Sequence, residues 1–200
     1  MAGMQALPRR FYERPTLAVA RELLGCVLVR RYRGQILSGY ITETEAYIGK
    51  EDPASHAFRG MTPRTAVMFG EAGHVYVYFV YGMYWCMNVV TESKGVAAAV
   101  LLRGLWPKEG AQSMARRRFG TITLTQAQKK NLANGPGKLC TALAIDKTLN
   151  GVDFLDSKLA IIPGKKIPES AVQTSGRIGI RAATDYPWRF YIAEPEKFFS

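Results

Sequence analysis

The strongest signal of the fold lies in the stretch Val75-Tyr-Val-Tyr-Phe-Val-Tyr-Gly-Met-Tyr-Trp85, in which six of eleven residues are aromatic. Aromatic and β-branched residues favour strands, and a glycine between two such runs favours a tight turn. We therefore expect a β-hairpin with strands Val75–Tyr81 and Tyr84–Val90 and its tip at Gly82-Met83. The period of two along a strand would place Tyr76 and Tyr78 on one face, and Val77, Phe79 and Tyr81 on the other.

Further strands and helices are predicted on either side of this hairpin. The other expected strands are Cys26–Val29, Gln35–Tyr47, Ala97–Arg103, Arg177–Ile180 and Trp188–Ile192, with a turn at Arg33-Gly34. Helices are expected from Pro15 to a stop at Gly25, over Pro107–Phe119, and from Pro136 onward. Because the strands cluster instead of alternating with helices, the pattern favours an α+β fold with a mostly antiparallel sheet. No repeat or long linker divides the chain, so residues 1–200 are interpreted as one domain.

The charge balance is the first indication of function. The 200 residues include 27 Lys and Arg against 16 Asp and Glu, which gives a net charge of +11. An excess of this size favours a polyanionic partner, because each phosphate contact releases condensed counterions. A solvated basic surface without any partner is the alternative reading. Charge therefore favours nucleic acid or another anionic surface.

Metal, redox and membrane classes find little support in the sequence. Cys26, Cys86 and Cys140 are far apart, no C-x-x-C pair occurs, and His56 and His74 are the two histidines. These residues do not provide the four ligands of a zinc or iron–sulfur site, so we expect no metal and no cofactor. No run of 18 apolar residues occurs, and no signal-peptide core precedes Arg9-Arg10. We expect an intracellular, soluble protein without a membrane partner.

Two carboxylates mark the end of the long predicted strand. If residues 35–47 are a strand, Glu43, Glu45 and Tyr47 lie on one face together with Leu37 and Ile41. Carboxylates that continue an apolar face are costly to bury unless they are paired or used in chemistry. The alternative is that the strand reaches the sheet edge here and that both acids are solvated. A polar, turn-rich loop with His56 follows, and such loops often carry function.

The tyrosines of the hairpin and the scattered basic residues suggest contacts with nucleic acid. An aromatic hairpin tip on a basic protein suggests stacking or wedging, whereas an ordinary aromatic core strand is the alternative. Arg116 and Arg117 lie on a predicted helix, and Lys138 follows the glycines of Asn134-Gly-Pro-Gly. This loop resembles an anion-binding helix start but lacks the spacing of a Walker A loop, and simple helix capping explains it equally well. Together these features fit the recognition of an extruded base, with stacking to hold it and an acid to activate water.

Six motifs in order resemble the alkylpurine DNA glycosylase family, the 3-methyladenine glycosylases of the mammalian alkyladenine type, which also occur in bacteria. The motifs are Glu43-Thr-Glu-Ala-Tyr47, Glu51-Asp52 with His56, Tyr76-Val-Tyr78 with Tyr81-Gly-Met-Tyr84, Cys86-Met-Asn88, Leu101-Leu-Arg103 and Gly135-Pro-Gly-Lys-Leu-Cys140. The similarity extends from about Phe11 to Ile192. An ordered set of six motifs is far more specific than any one of them.

The resemblance implies a fold and a reaction. The fold would be one α+β domain with a curved antiparallel sheet, flanking helices and the tyrosine hairpin projecting from it. The protein would flip damaged purines, alkylated or deaminated, out of double-stranded DNA and hydrolyse the N-glycosidic bond. It would act as a monofunctional hydrolase and, we expect, as a monomer.

The resemblance also implies roles for the matched residues. Glu45 would be the general base, Tyr47 would stack on one side of the flipped base, and His56 with Tyr78 on the other. Asn88 would form the pocket floor and crowd the 2-amino group of guanine, and Arg103 would form the wall. Tyr81, with Met83 beside it, would wedge into the duplex. Lys138, Arg116 and Arg117 are the candidates for contacts with the DNA backbone.

Two departures and two rival functions accompany this interpretation. Thr65-Ala66 follows Thr62-Pro-Arg64 where the family pattern has an Asn, and the interval from Asn88 to Arg103 is longer than in mammalian members. Mammalian members have a long polar amino-terminal extension, which this sequence lacks. We therefore expect a bacterial, cytoplasmic protein associated with the nucleoid, or a nuclear one if the source is eukaryotic. The rivals are a bifunctional glycosylase/lyase with Lys50 or Lys138 as nucleophile, and a non-catalytic module that stacks bases on the same tyrosines.

Overall fold

The computed structural model describes residues 5–155 and 158–199, which form one sheet with helices packed around it. The strands are β1 (Val27–Tyr32), β2 (Gln35–Ile48), β3 (Val75–Val80), β4 (Tyr84–Thr91), β5 (Ala98–Glu109), β6 (Leu159–Ile162), β7 (Val172–Ser175) and β8 (Arg189–Ile192). The helices are α1 (Arg9–Tyr12), α2 (Thr16–Glu22), α3 (Ala111–Phe119), α4 (Gln126–Asn131), α5 (Pro136–Ala142) and α6 (Glu196–Phe199). Short 3-10 turns occur at Gly49–Glu51, Ala66–Phe69, Lys147–Leu149 and Glu169–Ala171.

The sheet is antiparallel at every pairing of the described strands. Its order is β3-β4-β5-β2-β1-β6, and β8 pairs with the second half of β2 on one edge and with β7 on the other. Strand β2 is therefore central: β5 runs along one side of it, and β1 and then β8 run along the other. The predicted α+β class with a mostly antiparallel sheet is confirmed.

One face of the sheet carries the main hydrophobic core. Helices α2, α3 and α5 contribute Val19, Met114 and Leu139 to it, all buried against strand residues such as Leu102. The opposite face has a smaller apolar cluster beneath residues 49–73, which includes Met68 and Tyr76. The two faces therefore differ: one carries the large hydrophobic core, and the other carries only a small apolar cluster, which leaves room for a site.

Strand β2 changes the face that it presents to the core partway along its length. Leu37 and Ile41 are fully buried in the main core, but beyond them Ala46 faces that core, and the Thr44 hydroxyl donates to the carbonyl of Ala20 on α2. Odd-numbered residues thus face the core before residue 42, and even-numbered residues face it afterwards.

The cause is a pair of irregularities between β2 and β5. The pairing passes from Ile41↔Leu105 to Glu43↔Gly104, which leaves Thr42 as an extra residue in β2, and a second shift leaves an extra residue in β5 at Arg103. A Cβ on Gly104 would lie 2.8 Å from the Thr42 Oγ1, so glycine permits this close approach.

As a consequence, the prediction that Glu43, Glu45 and Tyr47 share a face with Leu37 and Ile41 was wrong in part. Glu43, Glu45 and Tyr47 do share a face, but it is the face opposite to Leu37 and Ile41, because the bulge reverses the alternation. The acids therefore do not continue an apolar face, and they do not lie solvated at a sheet edge.

Most predicted elements are present, with three corrections. Pro107 does not begin a helix: it stays in β5 opposite Gly39, beside another register shift, and α3 begins at Ala111 after Gly110 turns the chain with φ +75°. Arg177–Ile180 is not a strand, since the chain leaves the sheet after Ser175. Tyr81 is not in β3: it begins the hairpin turn with φ +53°, next to Gly82 with φ +67°.

Candidate functional site

A cavity of about 590 Å³ lies on the sheet face opposite the main core. Its walls come from strands β2 to β5, the hairpin tip, the first turn of α5, residues 53–56 and residues 178–182. Six of the residues predicted from the sequence line it together: Tyr47, His56, Tyr78, Tyr81, Asn88 and Arg103. Lys138 also lines it. Residues far apart in the chain thus meet at one cavity.

Glu45 lies directly behind the wall of this cavity. Its side chain is fully buried, and three groups hold it. Its Oε2 accepts from the Tyr47 hydroxyl at 2.8 Å and from the Arg103 Nη1 at 3.2 Å, and its Oε1 accepts from the Ile178 backbone N–H at 2.7 Å. All three partners line the cavity, so Glu45 lies next to the residues that form its wall.

The electrostatics of Glu45 reflect a balance between burial and these donors. Burial raises the pKa of Glu45, while Arg103, the Ile178 N–H and the Tyr47 hydroxyl oppose that rise. A carboxylate has about four lone-pair positions, and three of them are occupied here. One position on Oε1 therefore remains for a further donor such as a water molecule.

Glu43 has a different environment from Glu45. Its Oε1 accepts from the Arg103 Nε at 2.8 Å and from the Arg189 Nε at 2.7 Å, and its side chain is 19% exposed. The sequence predicted that the two acids lie on one face. The arginines that make their environments different, Arg103 and Arg189, lie at distant positions in the chain.

The aromatic residues form a connected group along one wall. The rings of His56 and Tyr78 meet edge to face with centroids 4.6 Å apart, and Tyr76 stacks on Tyr78 at 5.4 Å. The His56 Nδ1 lies 3.1 Å from the Tyr76 hydroxyl. Burial, with a smaller effect of Arg64, lowers the pKa of His56 to about 4, so the imidazole is neutral at physiological pH.

Asn88 and Cys86 belong to the part of the wall that β4 contributes. The Asn88 Nδ2 donates to the Tyr76 carbonyl at 3.2 Å, which fixes the amide in a buried position. Burial raises the pKa of the Cys86 thiol, so it is protonated at physiological pH.

The hairpin tip is exposed, as predicted. Tyr81 and Met83 have 76% and 64% of their surface accessible, whereas Tyr76 is buried. A Cβ on Gly179 would lie 3.6 Å from the Tyr81 hydroxyl, so the tip approaches the loop of residues 178–182 across the cavity mouth.

The predicted basic residues divide into two groups. The Lys138 Nζ at the cavity wall donates to the side-chain oxygens of Asn131 and Asn134 at 2.5 and 3.1 Å. Arg117 is away from the cavity: it donates to the carbonyl of Ala142 at the end of α5 at 3.0 Å, and Arg116 is exposed on α3. A role of Arg116 and Arg117 at a DNA backbone stays a prediction.

Sequence reasoning missed the loop that follows β7. Arg177 is fully buried and binds both carboxylate oxygens of Asp52, and its guanidinium lies between the rings of Tyr47 and Trp188 at 4.7 and 5.0 Å. The pair with Asp52 fixes the loop at Arg177, so that the N–H of the next residue, Ile178, donates to the Glu45 carboxylate. Gly176 and Gly179, on both sides of Arg177-Ile178, were the available signal for a loop in place of a strand.

Two features are absent from the described part of the chain: a cluster of metal ligands and a membrane-spanning helix. No group of three or more His, Cys, Asp or Glu side chains within residues 5–155 and 158–199 could hold a metal ion. No helix in the same ranges is long and apolar enough to cross a membrane.

Comparison with known proteins identifies the family. The model of the family described as methylpurine-DNA glycosylase (MPG) matches residues 10–196. A protein of Desulfitobacterium hafniense recorded as "Putative 3-methyladenine DNA glycosylase" is 49% identical, with 96% of this chain and 98% of the relative covered. Relatives with the same recorded name occur in Carboxydothermus hydrogenoformans, at 49% identity over 93% of this chain and 94% of the relative, and in Methanocella arvoryzae, at 48% identity over 94% and 92%. The chain belongs to the methylpurine-DNA glycosylase family.

Proposed function

We propose that this protein is a 3-methyladenine DNA glycosylase. It extrudes a damaged purine, alkylated or deaminated, from double-stranded DNA and hydrolyses the N-glycosidic bond with a water activated by Glu45, which leaves an abasic site. The observation that carries the proposal is the buried Glu45 carboxylate behind the cavity wall, with one acceptor position unused. Family membership supports the reaction class.

The cavity is suited to one flipped nucleotide. Its volume of about 590 Å³ is within the range of about 300–1,000 Å³ for sites that bind small organic groups. Tyr47 and Tyr78 line the cavity and offer flat faces for a base. Alkylation at N3 or N7 gives the purine a positive charge, which the faces of electron-rich rings attract. These features support a purine that is electron-poor.

Glu45 is the group that supports hydrolysis. The bond to the base breaks through an oxocarbenium-like state, which a nearby carboxylate stabilises while it removes a proton from the attacking water. Arg103 favours the ionised form of Glu45, and the Ile178 N–H holds the carboxylate in its orientation. Glu43 is less suited to this role, because it is paired with two arginines and one of them, Arg189, does not line the cavity, whereas all three donors to Glu45 do.

The departure of the base needs little help when the base is alkylated. A purine alkylated at N3 or N7 leaves as a neutral molecule, so no proton has to be donated to it. The neutral His56 then serves as a hydrogen-bonding and stacking group of the pocket and not as a charged acid.

Contacts with duplex DNA follow from the tip and the charge. The exposed Tyr81 and Met83 are placed to fill the gap that an extruded base leaves, which offsets part of an extrusion cost of a few kcal/mol. Lys138 at the cavity wall and the net charge of +11 support binding of the phosphate backbone. Action as a monomer in the cytoplasm, at the nucleoid, stays a prediction.

The test is release of bases from a panel of duplexes that contain single alkylated, deaminated or undamaged purines, followed by chromatography. We expect free modified base and an intact abasic strand, with the same rate in EDTA and in reductant. A covalent adduct trapped by borohydride would indicate a lyase that uses an amine such as Lys138. Tight lesion binding without release of any base would favour the non-catalytic stacking module.

A further inference from the structure

Arg189 approaches the proposed catalytic group from the side opposite Arg103. Strand β2 is flanked by β5 on one edge and by β8 on the other, and Glu45 is paired with Leu101 across the first and with Arg189 across the second. Phe190, the neighbour of Arg189, faces the main core, so Arg189 points to the face that carries Glu43 and Glu45. The two arginines thus reach the same acids from two different strands.

A continuous chain of charged contacts joins Arg189 to Glu45. The Arg189 Nε lies 2.7 Å from the Glu43 Oε1, and the Arg103 Nε lies 2.8 Å from that same oxygen. The Arg103 Nη1 then lies 3.2 Å from the Glu45 Oε2. Side-chain exposure is similar for the two outer groups, at 16% for Arg189 and 19% for Glu43, and falls to 11% for Arg103 and 0% for Glu45.

The order of charges explains what Arg189 can do. Arg103 is shared between two carboxylates, and its position between them depends on how strongly each attracts it. Because Arg189 neutralises part of the charge of Glu43, it leaves more of the Arg103 charge for Glu45. Without Arg189, Glu43 would attract Arg103 more strongly, and Glu45 would face less positive charge.

We propose that Arg189, acting through Glu43, is a positioning residue that holds Arg103 against Glu45 and thereby favours the ionised form of Glu45 that the hydrolysis requires. The inference rests on the proposed function. Arg189 does not line the cavity, so it affects the reaction through the two residues between it and Glu45.

Other groups also face Glu45 and Arg189, and they define the controls. Around Glu45 these are Tyr47 and Glu43 from β2, Arg103 from β5, the Cys86 thiol from β4 and the Ile178 N–H from the loop. Arg189 also donates to the Ser175 hydroxyl of β7 at 2.9 Å and lies over the ring of Tyr191 at 4.1 Å. A purely structural role of Arg189 would act through Ser175 and Tyr191.

The experiment measures single-turnover base release against pH for wild type, Arg189→Met, Arg189→Lys and Ser175→Ala. A general base must be deprotonated, and a loss of nearby positive charge favours its protonated form. In the pH–rate profile of Arg189→Met, we therefore expect the acid limb, where the rate falls with decreasing pH, to move to higher pH by about 0.5 to 1 unit. This change corresponds to a rate about 3- to 10-fold lower on the acid limb, with recovery toward wild type at high pH. Arg189→Lys keeps the charge and should keep the limb, and Ser175→Ala should not move it.

Several outcomes would overturn the inference. An Arg189→Met profile that superimposes on that of wild type, or that falls by one factor at every pH, would show that Arg189 does not act on Glu45. Arg189→Gln replaces the methionine variant if that variant does not fold. Failure of both neutral variants to fold would assign Arg189 to stability alone. If wild type releases no base, the proposed function fails, and that result is distinct from an unmoved limb in an active enzyme.

Discussion

Glu45 and Asp52 are both fully buried carboxylates, seven positions apart, but their hydrogen bonding differs. Asp52 accepts four hydrogen bonds: two from Arg177, one from the Ile48 N–H at 3.3 Å and one from the Ala54 N–H at 3.0 Å. Glu45 accepts three, and the groups that donate them line the cavity. Asp52 is saturated, whereas Glu45 retains one acceptor position.

This difference shows how to separate a structural acid from a reactive one. A buried carboxylate with every lone pair occupied stabilises the fold and has nothing left to offer a substrate. A buried carboxylate with an incomplete set is held in place and can still accept a proton from water. Burial and pairing with arginine are common to both, so neither property alone indicates function.

The largest expected effect on stability comes from Asp52→Asn. The substitution leaves the Arg177 charge buried and unpaired, so the free energy of unfolding should fall by about 3–5 kcal/mol. Chemical denaturation followed by circular dichroism measures it, with Glu51→Gln, an exposed neighbour, as the control. A stability within about 1 kcal/mol of wild type would contradict the structural role of the Asp52–Arg177 pair.

The pH dependence of base release should report Glu45. Since burial raises the pKa of Glu45 and the ionised form is the active one, the rate should fall with decreasing pH already above the usual glutamate value of about 4.3. Below that pKa the single-turnover rate should decrease about tenfold per pH unit. Melting temperatures recorded over the same pH range separate this limb from acid unfolding. A rate that is flat down to about pH 4 would contradict the assignment.

Tyr47→Phe should produce a smaller change of the same kind. It removes the hydroxyl that donates to the Glu45 Oε2 at 2.8 Å and keeps the ring for stacking. The loss of one donor raises the pKa of Glu45 further, so the acid limb should move to higher pH and the rate near the limb should fall about 3- to 10-fold. Lesion binding should stay close to that of wild type. If binding falls and the limb does not move, the hydroxyl serves the base and not Glu45.

Tyr81→Ser should leave both carboxylates untouched. The side chain is 76% exposed, so the melting temperature should not change, while affinity for a lesion duplex should fall about tenfold as the wedge is lost. Tyr78→Ala is the matched variant, and it should also reduce discrimination between damaged and normal purines. If both variants lose stability, at about 3–5 kcal/mol per buried ring, and affinity per folded molecule is unchanged, the tyrosines are core residues.

The sequence predicted local features well and long-range contacts poorly. The hairpin, the β1–β2 turn at Arg33-Gly34 and the starts of α2 and α5 follow from proline, glycine and aromatic patterning, which act over a few residues. The reversal of face at Thr42 was not predictable, because Thr42 becomes an extra residue only through the pairing of β2 with β5, a strand some 60 positions away.

The same distinction holds for the site. Tyr47, His56, Tyr78 and Arg103 could be named from motifs, and they do line one cavity. The donors that set the properties of the acids, the Ile178 N–H and the Arg189 guanidinium, lie in a segment that was predicted as a strand and in a short strand near the end of the chain. Their relation to Glu43 and Glu45 depends on tertiary structure, which a pattern of neighbouring residues does not contain.

The central claim is that Glu45 activates water, and Glu45→Gln tests it most directly. The substitution keeps the size of the side chain, so folding and lesion binding should be retained, with Asp52→Asn as the contrasting variant that loses stability instead. Single-turnover release of 3-methyladenine from a lesion duplex, at saturating enzyme and neutral pH, is the measurement. We expect the rate to fall by about 100-fold or more. A rate close to that of wild type in a folded, DNA-binding Glu45→Gln variant would contradict the account.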